Sequence, residues 1–562
     1  MGLKTHSTIR ELVDNFEDYE NNVAISYIEP KTQEFKEILY KEIKDNAISI
    51  ANFIHELKLN KQERGIVLSG NNPLWTSAVW GMQYYGLSAV PIDFKERGEN
   101  NSTLMIKHSK SKLLFVENEE TLHKLKTIEK KKYGLLKGIK EIILFNPNEN
   151  ELSLDNIVKK NSQPNDFNIV NEKDIASIFY TSGTTGRPSG VMLTHGNLLF
   201  NAYATLQVEP MFEEVFVSML PLSHSFGNIE SIISAITKSR SHYSSVNKLM
   251  EDLRSQKPTK LVNSPKLLDK IVKKVDENLS EKKLTWLPDF FKYKLAGKKI
   301  KYKLGGNVTG IFVGGSKLTR DVQRKFWLMG IDVKQGYGTT EASPICTAPQ
   351  ERKYPGSIGL PLPGTQAIIL EGELYVKGPH VMKGYFDNPQ KTREKLINGW
   401  YKTGDLATKN RKGWFYITGR KEDSVKLNNG FFVNLINIEK TISMDPFVEE
   451  VLAIGYERDH VATIIIPNEE KLKKYFKKNN IDYDLKNSSD ELREIYFNVI
   501  SQRTKKLDKN EIPKQILLIS PDHIKDAFSF KKELRRNFVV SQLENQIEEL
   551  YSSKKKILSL YK

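Results

Sequence analysis

Short apolar runs alternate with segments of helical spacing between residues 39 and 145, and this alternation constrains the fold more than any other feature. Apolar residues recur every three or four positions in residues 39–57, which predicts a helix with one buried face. Residues 74–85 also predict a helix, and a lysine-rich helix precedes the last strand. Buried strands are predicted at residues 65–69, 89–92, 113–116 and 141–145. Because strands that alternate with helices form largely parallel sheets, we expect an α/β fold.

The chain has 562 residues, which is too long for one compact core, so we expect at least two domains. Its single cysteine, Cys346, excludes a disulfide framework and is typical of a reducing compartment. No signal-peptide pattern opens the sequence. The longest uncharged run, residues 65–92, contains Asn, Pro, Gln and Gly and predicts strand–helix–strand rather than a membrane span. We therefore expect a cytoplasmic location.

The formal net charge of +16 favours polyanionic partners: nucleic acid, an anionic membrane surface or a polyanionic small molecule. The sequence contains no zinc-ligand cluster and no RNA-recognition aromatic pattern, so we do not expect nucleic acid. Residues 284–304 interleave aromatic and aliphatic residues with many lysines. They predict either a lysine-covered helix pair that packs its apolar side inward or a peripheral contact with the anionic inner face of a membrane.

Hydroxyl residues alternate with glycines directly after the apolar run 175–180. Glycine allows backbone N–H groups to approach an anion, and short hydroxyl side chains add further donors. The spacing is not that of a Walker A loop. The polar, Pro- and Asn-rich residues 146–171 before it predict a surface loop. We predict that phosphate binds to Thr181, Ser182, Gly183, Thr184, Thr185 and Gly186.

Two further apolar runs end in small and polar residues, and ligands of open α/β sheets bind beyond such strand ends. Tyr337 can stack on a purine. Thr339 and Thr340 can donate to phosphate, and Glu341 can hold Mg²⁺ together with nucleotide phosphates. The candidate nucleotide-binding residues at these two strand ends are Gly314, Gly315, Ser316, Gly336, Tyr337, Gly338, Thr339, Thr340 and Glu341.

Several of these motifs carry a resemblance to one family. Residues 180–191, YTSGTTGRPSGV, resemble the AMP-binding signature of the adenylate-forming superfamily, which includes acyl-CoA synthetases, firefly-type luciferases and peptide-synthetase adenylation domains. Residues 336–341, GYGTTE, match a second motif of that family, and residues 372–385, 399–405 and 414–420 follow in family order. Residues 257–270 resemble the long-chain branch.

The resemblance implies a two-domain architecture. A large N-terminal adenylate-forming domain, residues 1–419, would contain parallel and mixed sheets with flanking helices. A small mobile α+β C-terminal domain, residues 420–562, would act as a lid and carry a helical tail from about residue 538.

The resemblance also implies roles for single residues. Asp405 would bind the ribose hydroxyls, and Arg420 would reach the nucleotide. His224 would line the acyl pocket and the thiol tunnel. Lys532 would be the catalytic lysine, with Lys531 as the alternative.

Three further positions are implied to serve the movement between two half-reactions. Glu422 would be the hinge, and Lys426 and Gly430 would line a pantetheine tunnel.

The candidate magnesium ligand is Glu341, and Thr181 is a weaker candidate for contact with Mg²⁺.

The chain departs from the family at two positions. Ser189 stands where the signature has a lysine, and Arg187 is the nearest cation in sequence that could replace it. Glu422 stands where the hinge is commonly Asp or Lys. A catalytically weakened acyl- or nucleotide-binding relative therefore remains an alternative to an active enzyme.

The function implied by the resemblance is that of a long-chain fatty acid–CoA ligase of the AMP-forming type, using ATP, Mg²⁺ and coenzyme A. Fatty acid would first become an acyl-adenylate and then a thioester. Transfer to an acyl-carrier protein is the close alternative, because only the thiol carrier differs. A luciferase has no support in the sequence, and a nucleic-acid-binding scaffold has only the net charge in its favour.

Overall fold

The chain divides into two compact units in a computed structural model. The first unit comprises residues 1–403 and 408–417, and the second comprises 404–407 and 418–562. The structure describes residues 5–29, 32–131, 134–146, 152–158, 163–181, 188–244, 247–281, 283–284, 286–316, 318–348, 354–421, 424–429, 431–480, 490–505, 507–524, 536–553 and 556–560.

The strands of the described residues are β1 Val23–Ile28, β2 Phe35–Leu39, β3 Arg64–Leu68, β4 Ser88–Ile92, β5 Leu113–Asn118, β6 Glu141–Asn146, β7 Ile175–Thr181, β8 Ser189–Thr194, β9 Val215–Ser218, β10 Arg240–Tyr243, β11 Lys260–Asn263, β12 Gly310–Val313, β13 Val333–Gln335, β14 Tyr337–Gly338, β15 Ile345–Ala348, β16 Leu360–Pro361, β17 Gln366–Leu370, β18 Glu373–Lys377, β19 Gly384–Tyr385, β20 Leu396–Ile397, β21 Trp400–Lys409, β22 Phe415–Arg420, β23 Ser424–Lys426, β24 Phe432–Asn434, β25 Val448–Ile454, β26 Ala462–Pro467, β27 Gln515–Leu518 and β28 Ile557–Ser559.

The α-helices of the described residues are α1 Ile9–Asp14, α2 Tyr40–Glu56, α3 Trp75–Tyr85, α4 Phe94–Ser109, α5 Glu119–Lys131, α6 Leu154–Val158, α7 His195–Val208, α8 Ser225–Ile236, α9 Leu249–Gln256, α10 Pro265–Glu281, α11 Asp289–Lys303, α12 Arg320–Leu328, α13 Pro389–Lys395, α14 Leu435–Ile442, α15 Glu469–Lys478, α16 Asp490–Arg503, α17 Arg536–Gln542 and α18 Glu544–Ser552. Within the same ranges, no helix has both the length and the apolarity needed to cross a membrane.

The first sheet of the N-terminal unit has the strand order β19-β8-β7-β4-β3-β5-β6. Strands β7, β4, β3, β5 and β6 run parallel, whereas β8 runs antiparallel to β7 and β19 antiparallel to β8. The predicted strands and the helices between them are confirmed here. Almost all residues of β3 and β4 are buried, as is typical of strands covered by helices on both faces.

The second sheet has the strand order β13-β12-β11-β9-β10-β1-β2. Strands β9 to β13 are parallel, so their carboxyl ends lie along one edge of the sheet. Helix α10 packs one stripe of side chains into the core beneath this sheet, because Leu268, Val272, Val275 and Leu279 recur at helical spacing and are all buried. The residues that follow β9, β12 and β13 therefore meet at a common edge.

One predicted loop contains more structure than expected. Residues 146–171 were predicted to form a surface loop, but the short helix α6 lies within them, and its Leu154 and Ile157 are buried. A bridge between Ser153 and Leu144 aligns this segment with β6. The burial of Leu154 and Ile157 therefore anchors a segment whose other residues are mostly polar.

The C-terminal unit is built on the sheet β25-β26-β27-β28. Strand β26 is buried along its whole length, and Ile547 and Leu550 of α18 pack into a core with Leu517. Together the two units give the mixed α/β architecture with a smaller α+β C-terminal part that the sequence predicted.

Candidate active site

The hairpin of β7 and β8 brackets the predicted phosphate loop. Thr181 pairs with Ser189 across the hairpin, and the Thr181 hydroxyl lies 3.5 Å from the Ser189 carbonyl oxygen. Both residues are partly buried at the point where the two strands separate. The first and last positions of the loop are therefore fixed against each other by a strand pair.

Glycines follow β12 and β13 at the common sheet edge. The Gly336 amide donates to the Val313 carbonyl at 2.9 Å, so the two strand ends are joined. A Cβ at Gly314 would lie 2.9 Å from the Phe226 ring, whereas Gly315 has a φ of +77° and open space around it. Ser316 is exposed, and its carbonyl accepts from the Gln335 side chain. This part of the edge thus presents backbone and small side chains to solvent.

Glu341 lies in a short 3₁₀ turn, Thr340–Ala342, and its carboxylate is surrounded by hydroxyl donors. The Thr339 hydroxyl donates to one carboxylate oxygen, and the Tyr385 hydroxyl donates to the other at 2.9 Å. The Glu341 carbonyl accepts from the Met382 amide at 2.9 Å. Hydrogen bonds from hydroxyls orient a carboxylate without neutralising its charge, and an oriented carboxylate is a ligand that suits a hard cation.

Gly338 closes the turn that carries Glu341. The Thr339 amide donates to the Pro344 carbonyl at 2.8 Å, and a Cβ at Gly338 would lie only 1.7 Å from that same carbonyl oxygen. Ser343 adopts a left-handed conformation with a φ of +65°, and its hydroxyl donates to the His380 carbonyl at 2.7 Å. The turn therefore has room for glycine alone at this position.

Two buried phenols stand beside the Glu341 carboxylate. Burial raises the pKa of Tyr385 above its ordinary value, and the negative charge of Glu341 adds to the shift. The pKa of Tyr401 is raised by the same two causes, burial first. Both phenols therefore keep their protons at neutral pH and act as hydrogen-bond donors.

His224 caps the start of α8 and contacts Arg97. An Arg97 Nη2 lies 3.2 Å from His224 Nδ1. Because a guanidinium can only donate, Nδ1 accepts, and the neutral ring carries its proton on Nε2. The next residue, Ser225, donates to the Thr340 hydroxyl at 3.3 Å. His224, Thr340 and Glu341 are thus brought to one neighbourhood by the ends of β9 and β13.

Asp405 and Arg420 form an ion pair within the C-terminal unit. Arg420 Nε lies 2.8 Å from Asp405 Oδ1, with the carboxylate almost buried and the guanidinium about half exposed. The backbone reinforces the pair, since the Lys421 amide donates to the Gly404 carbonyl at 2.8 Å. Lys426 is exposed on β23. The structure therefore joins two of the residues that the sequence assigned to the nucleotide.

Several predicted residues lie outside the described part of the chain. These are Ser182, Gly183, Thr184, Thr185, Gly186, Arg187, Glu422, Gly430, Lys531 and Lys532. Their assigned roles, and those of the described site residues, stay predictions.

Sequence reasoning missed four residues that the structure places at these sites: Arg97, Tyr385, Lys391 and Tyr401. Tyr385 and Tyr401 lie inside motifs that the sequence analysis identified, but it assigned neither of them a role. Lys391 donates to the Ser189 hydroxyl at 2.8 Å, and Arg97 reaches His224 from a distant helix. No local spacing signals either contact, because each joins residues more than a hundred positions apart.

Comparison with known proteins agrees with this geometry. A family model described as AMP-binding enzyme matches residues 12–386, and a model described as AMP-binding enzyme C-terminal domain matches residues 422–555. The two matches are in the order expected for a two-domain adenylate-forming enzyme.

Similar proteins include two from Arabidopsis thaliana. A chloroplastic long-chain-fatty-acid–acyl-carrier-protein ligase is 25% identical and covers 95% of this chain and 85% of its own length. Long chain acyl-CoA synthetase 4 is 26% identical and covers 96% of this chain and 90% of its own length. Among solved structures, ATP-bound MatB from Rhodopseudomonas palustris superposes with a TM-score of 0.73 at 20% identity, covering 96% of this chain and all of its own. The fold, the two family matches in order and the motifs at the sheet edge together show that this chain belongs to the AMP-binding enzymes, the adenylate-forming superfamily.

Proposed function

We propose that this chain activates a long-chain fatty acid with ATP and transfers the acyl group to the thiol of coenzyme A, releasing AMP and pyrophosphate. The observation that carries the proposal is the assembly at the sheet edge, where Glu341, Thr340 and His224 lie close together beside two glycine-rich strand ends. Family membership supplies the reaction class. The names of the similar long-chain synthetases supply the substrate class.

In the first half-reaction the fatty acid carboxylate, which is a poor acyl donor, must be converted into a reactive derivative. A carboxylate oxygen attacks the α-phosphorus of ATP, pyrophosphate leaves in line, and a mixed anhydride with AMP forms. The protein contributes position and charge, because little covalent chemistry falls to side chains in such a transfer. Thr340 would donate to a phosphate oxygen, and Lys532 would neutralise charge between the carboxylate and the α-phosphate.

The residues around Glu341 fit a magnesium ion. Mg²⁺ is usually held by one or two carboxylates together with water and nucleotide phosphates. Glu341 offers one oriented, partly exposed carboxylate, and the described residues contain no group of three His, Cys, Asp or Glu that would enclose a metal by itself. Glu341 would hold the ion, with Thr181 as a weaker contact. When bound, the ion lowers the negative charge on the triphosphate.

Nucleotide recognition would use two groups of residues that the sequence assigned to it. Tyr337 would stack on the adenine beside Gly314, Gly315, Ser316 and Gly336, and Asp405 would accept from the ribose hydroxyls. Arg420 already pairs with Asp405 and would orient it.

The second half-reaction requires a thiol to attack the acyl-adenylate. We infer that rotation about Glu422 withdraws Lys532 and brings Lys426 and Gly430 to a pantetheine tunnel, with His224 at the acyl end. Coenzyme A is the proposed carrier. An acyl-carrier protein is the alternative, favoured by the name of one similar protein.

A membrane surface is a proposed partner of α11. Tyr293 and Gly297 face the core, while Phe291, Leu295 and Tyr302 recur on an outer face and are 56%, 66% and 74% exposed. Exposed lysines of the same helix lie among them. Exposed aromatic residues flanked by lysines suit an anionic bilayer, which would also hold the fatty acid.

Labelled-pyrophosphate exchange tests the proposed first step. The protein, ATP, Mg²⁺ and palmitate should exchange pyrophosphate into ATP, and a series of acids from octanoate to arachidate should define the chain length. Absence of exchange with every carboxylate would overturn the proposal and favour a binding protein. Coenzyme A and a carrier protein, each added to preformed adenylate, separate the two acceptors.

Sedimentation with vesicles tests the membrane contact. Phosphatidylglycerol vesicles should sediment the protein, and replacing Phe291, Leu295 and Tyr302 together by serine should release it. Equal binding by phosphatidylcholine vesicles, or by the triple variant, would argue against α11 as the contact.

A further inference from the structure

Arg97 is a cation that lies outside the sequence motifs and that the proposed mechanism does not use. It lies in the first turn of α4, and its side chain is partly buried. Its Nη2 atom lies 3.2 Å from His224 Nδ1, across 127 positions of sequence. Within the described part of the chain, the guanidinium makes no other hydrogen bond and no ion pair with Asp or Glu. A partly buried positive charge therefore has no counter-ion among these residues.

The backbone around Arg97 is ordered by local hydrogen bonds. The Asp93 side chain accepts from the Lys95 amide at 2.9 Å, and the Asp93 carbonyl accepts from the Arg97 amide at 3.0 Å. The Arg97 carbonyl accepts from the Asn101 side chain at 3.2 Å. Gly98 follows with a φ of +73°, so the first turn of α4 ends in a bend. These contacts fix the point from which the guanidinium extends.

Arg97 lies where the carboxyl ends of the two large sheets meet. Strand β4 leads into α4 and runs parallel to β3 and β7 in the first sheet, whereas β9 leads to His224 in the second. Asn71, which follows β3, joins the two edges. Its side chain donates to the Leu220 carbonyl at 2.8 Å and accepts from the Leu222 amide at 2.9 Å. Ligands of open α/β sheets bind in such a crevice beyond the strand ends.

The contact with His224 also connects Arg97 to candidate catalytic residues. Ser225 follows His224 and donates to the Thr340 hydroxyl at 3.3 Å, and Glu341 follows Thr340. Two side-chain contacts and one peptide link therefore join the guanidinium to the residue proposed to donate to a phosphate oxygen.

The chemistry of the guanidinium selects an anion. A guanidinium has several N–H donors and no acceptor, and its planar fork matches the two oxygens of a carboxylate. His224 Nδ1 engages one donor but is uncharged, so it leaves the positive charge of Arg97 uncompensated. An anionic ligand that binds beside such a charge gains more than it would beside an exposed one.

We propose that Arg97 binds the carboxylate of the fatty acid before adenylation, holding one carboxylate oxygen while the other attacks the α-phosphorus. The inference rests on the proposed acid-activating function and adds a substrate-binding residue to its first step. The carboxylate is the anion that this step must bring to the neighbourhood of His224 and Thr340. Its charge is lost when the anhydride with AMP forms, so Arg97 acts on the acid and not on the acyl-adenylate.

Equilibrium binding of palmitate and of 1-hexadecanol tests the proposal. Both are measured with α,β-methylene-ATP, which cannot release pyrophosphate. Arg97→Ala should weaken palmitate binding about tenfold, the size expected for lost hydrogen bonds to a charged group. Binding of 1-hexadecanol, which has the same chain and no charge, should stay within twofold. Arg97→Lys, which keeps the charge without the fork, should lose only about threefold.

Lys95→Ala is the matched control, since it removes a cation whose side chain is 76% exposed from the same turn of α4. It should change neither affinity. Equal losses for palmitate and 1-hexadecanol in Arg97→Ala would make Arg97 a support for the crevice and overturn the proposal, as would unchanged palmitate binding.

A double-mutant cycle separates direct binding from an effect through the imidazole. In the His224→Ala background, Arg97→Ala should still weaken palmitate binding about tenfold. Loss of that effect would mean that Arg97 only positions His224, which overturns the proposal.

The affinity for α,β-methylene-ATP itself distinguishes a carboxylate from a phosphate as the anion. It should stay within twofold in Arg97→Ala, and a larger loss for the nucleotide than for palmitate would overturn the proposal. Pyrophosphate exchange by the unmodified protein is measured in parallel. Palmitate binding that depends on Arg97 without any exchange would support the carboxylate site and overturn the proposed function, whereas exchange together with Arg97-independent palmitate binding would do the reverse.

Discussion

Glu341 and Ser189 lie at the two ends of one series of contacts that runs through Tyr385 and Lys391, yet they are built in different ways. Glu341 is oriented largely by its own motif: Thr339 donates to its carboxylate, and the turn is closed at Pro344. Ser189 depends on a residue 202 positions away.

The difference shows that one candidate residue is oriented by neighbours in its own motif, whereas the other is contacted by a residue from a distant helix. At Glu341 a change in one motif residue should disturb the whole turn, because the neighbours share one backbone arrangement. The following predictions test the Glu341 side of this comparison.

Glu341→Gln should lower the rate of palmitate-dependent pyrophosphate exchange by about 100-fold or more, a loss typical of removing one electrostatic group from a preorganised site. The amide keeps the shape but not the charge that a magnesium ion requires. Glu394→Gln, an exposed carboxylate on α13, is the control. Exchange within a few-fold of the unmodified rate would place the metal elsewhere.

Gly338→Ala should lower the free energy of unfolding of the N-terminal unit by about 3 kcal/mol, because the added methyl meets a backbone oxygen that cannot move without opening the turn. Chemical denaturation measures the loss. Gly336→Ala is the matched control, since its nearest neighbour beyond the adjoining residues would lie at 3.8 Å. Equal stability of the two variants would mean that the turn can shift to accommodate a methyl group at position 338.

His380, which supports the turn that carries Glu341, should make the free energy of unfolding depend on pH in the acid range. Its carbonyl holds Ser343, and burial lowers the pKa of its ring to about 4. The unfolded chain therefore takes up a proton that the folded chain refuses, so stability is full above about pH 6.5 and falls as the pH drops toward 4. Near pH 5 the cost is about 2 kcal/mol.

Denaturation at pH 7.5 and near pH 5 would measure that dependence. His380→Leu should remove one proton from the difference between the two conditions, whereas His123→Leu, at an exposed site, should not. A pH dependence that survives His380→Leu unchanged would assign it to other buried groups, such as His195, whose pKa burial lowers to about 3.

Tyr385→Phe should have the smallest effect, about a tenfold rise in the KM for ATP with magnesium. The variant removes the hydroxyl that orients Glu341 but keeps the ring beneath the Lys391 ammonium. Steady-state kinetics at varied ATP would show the change in KM rather than in stability. An unchanged KM would mean that Thr339 alone orients the carboxylate.

The sequence predicted the strands and helices well where the pattern was local. Helix α2, with its apolar residues at helical spacing, and the buried strands β3 to β6 match the predictions because burial on one face or both leaves a periodic trace. Helix α6 was missed because only Leu154 and Ile157 anchor it within a polar stretch. Boundaries between domains could be inferred only from the resemblance.

Proximity was predictable where candidate residues share one motif, as Thr339 and Glu341 do, and the roles of these residues stay predictions. It was not predictable where the partner comes from another element. Lys391, for example, contacts Ser189 across 202 positions of sequence. Strand pairing decides such contacts, and no spacing along the chain encodes them.

The contact between Arg97 and His224 has a consequence for the thioester step. With Nδ1 accepting from the Arg97 guanidinium, the lone pair of that ring nitrogen is already engaged. In the position proposed for His224 at the acyl end, Nδ1 would therefore not take a proton from an incoming thiol. We expect the thiol to arrive as thiolate or to lose its proton to water, so that the acceptor's own acidity sets how fast product forms as the pH rises.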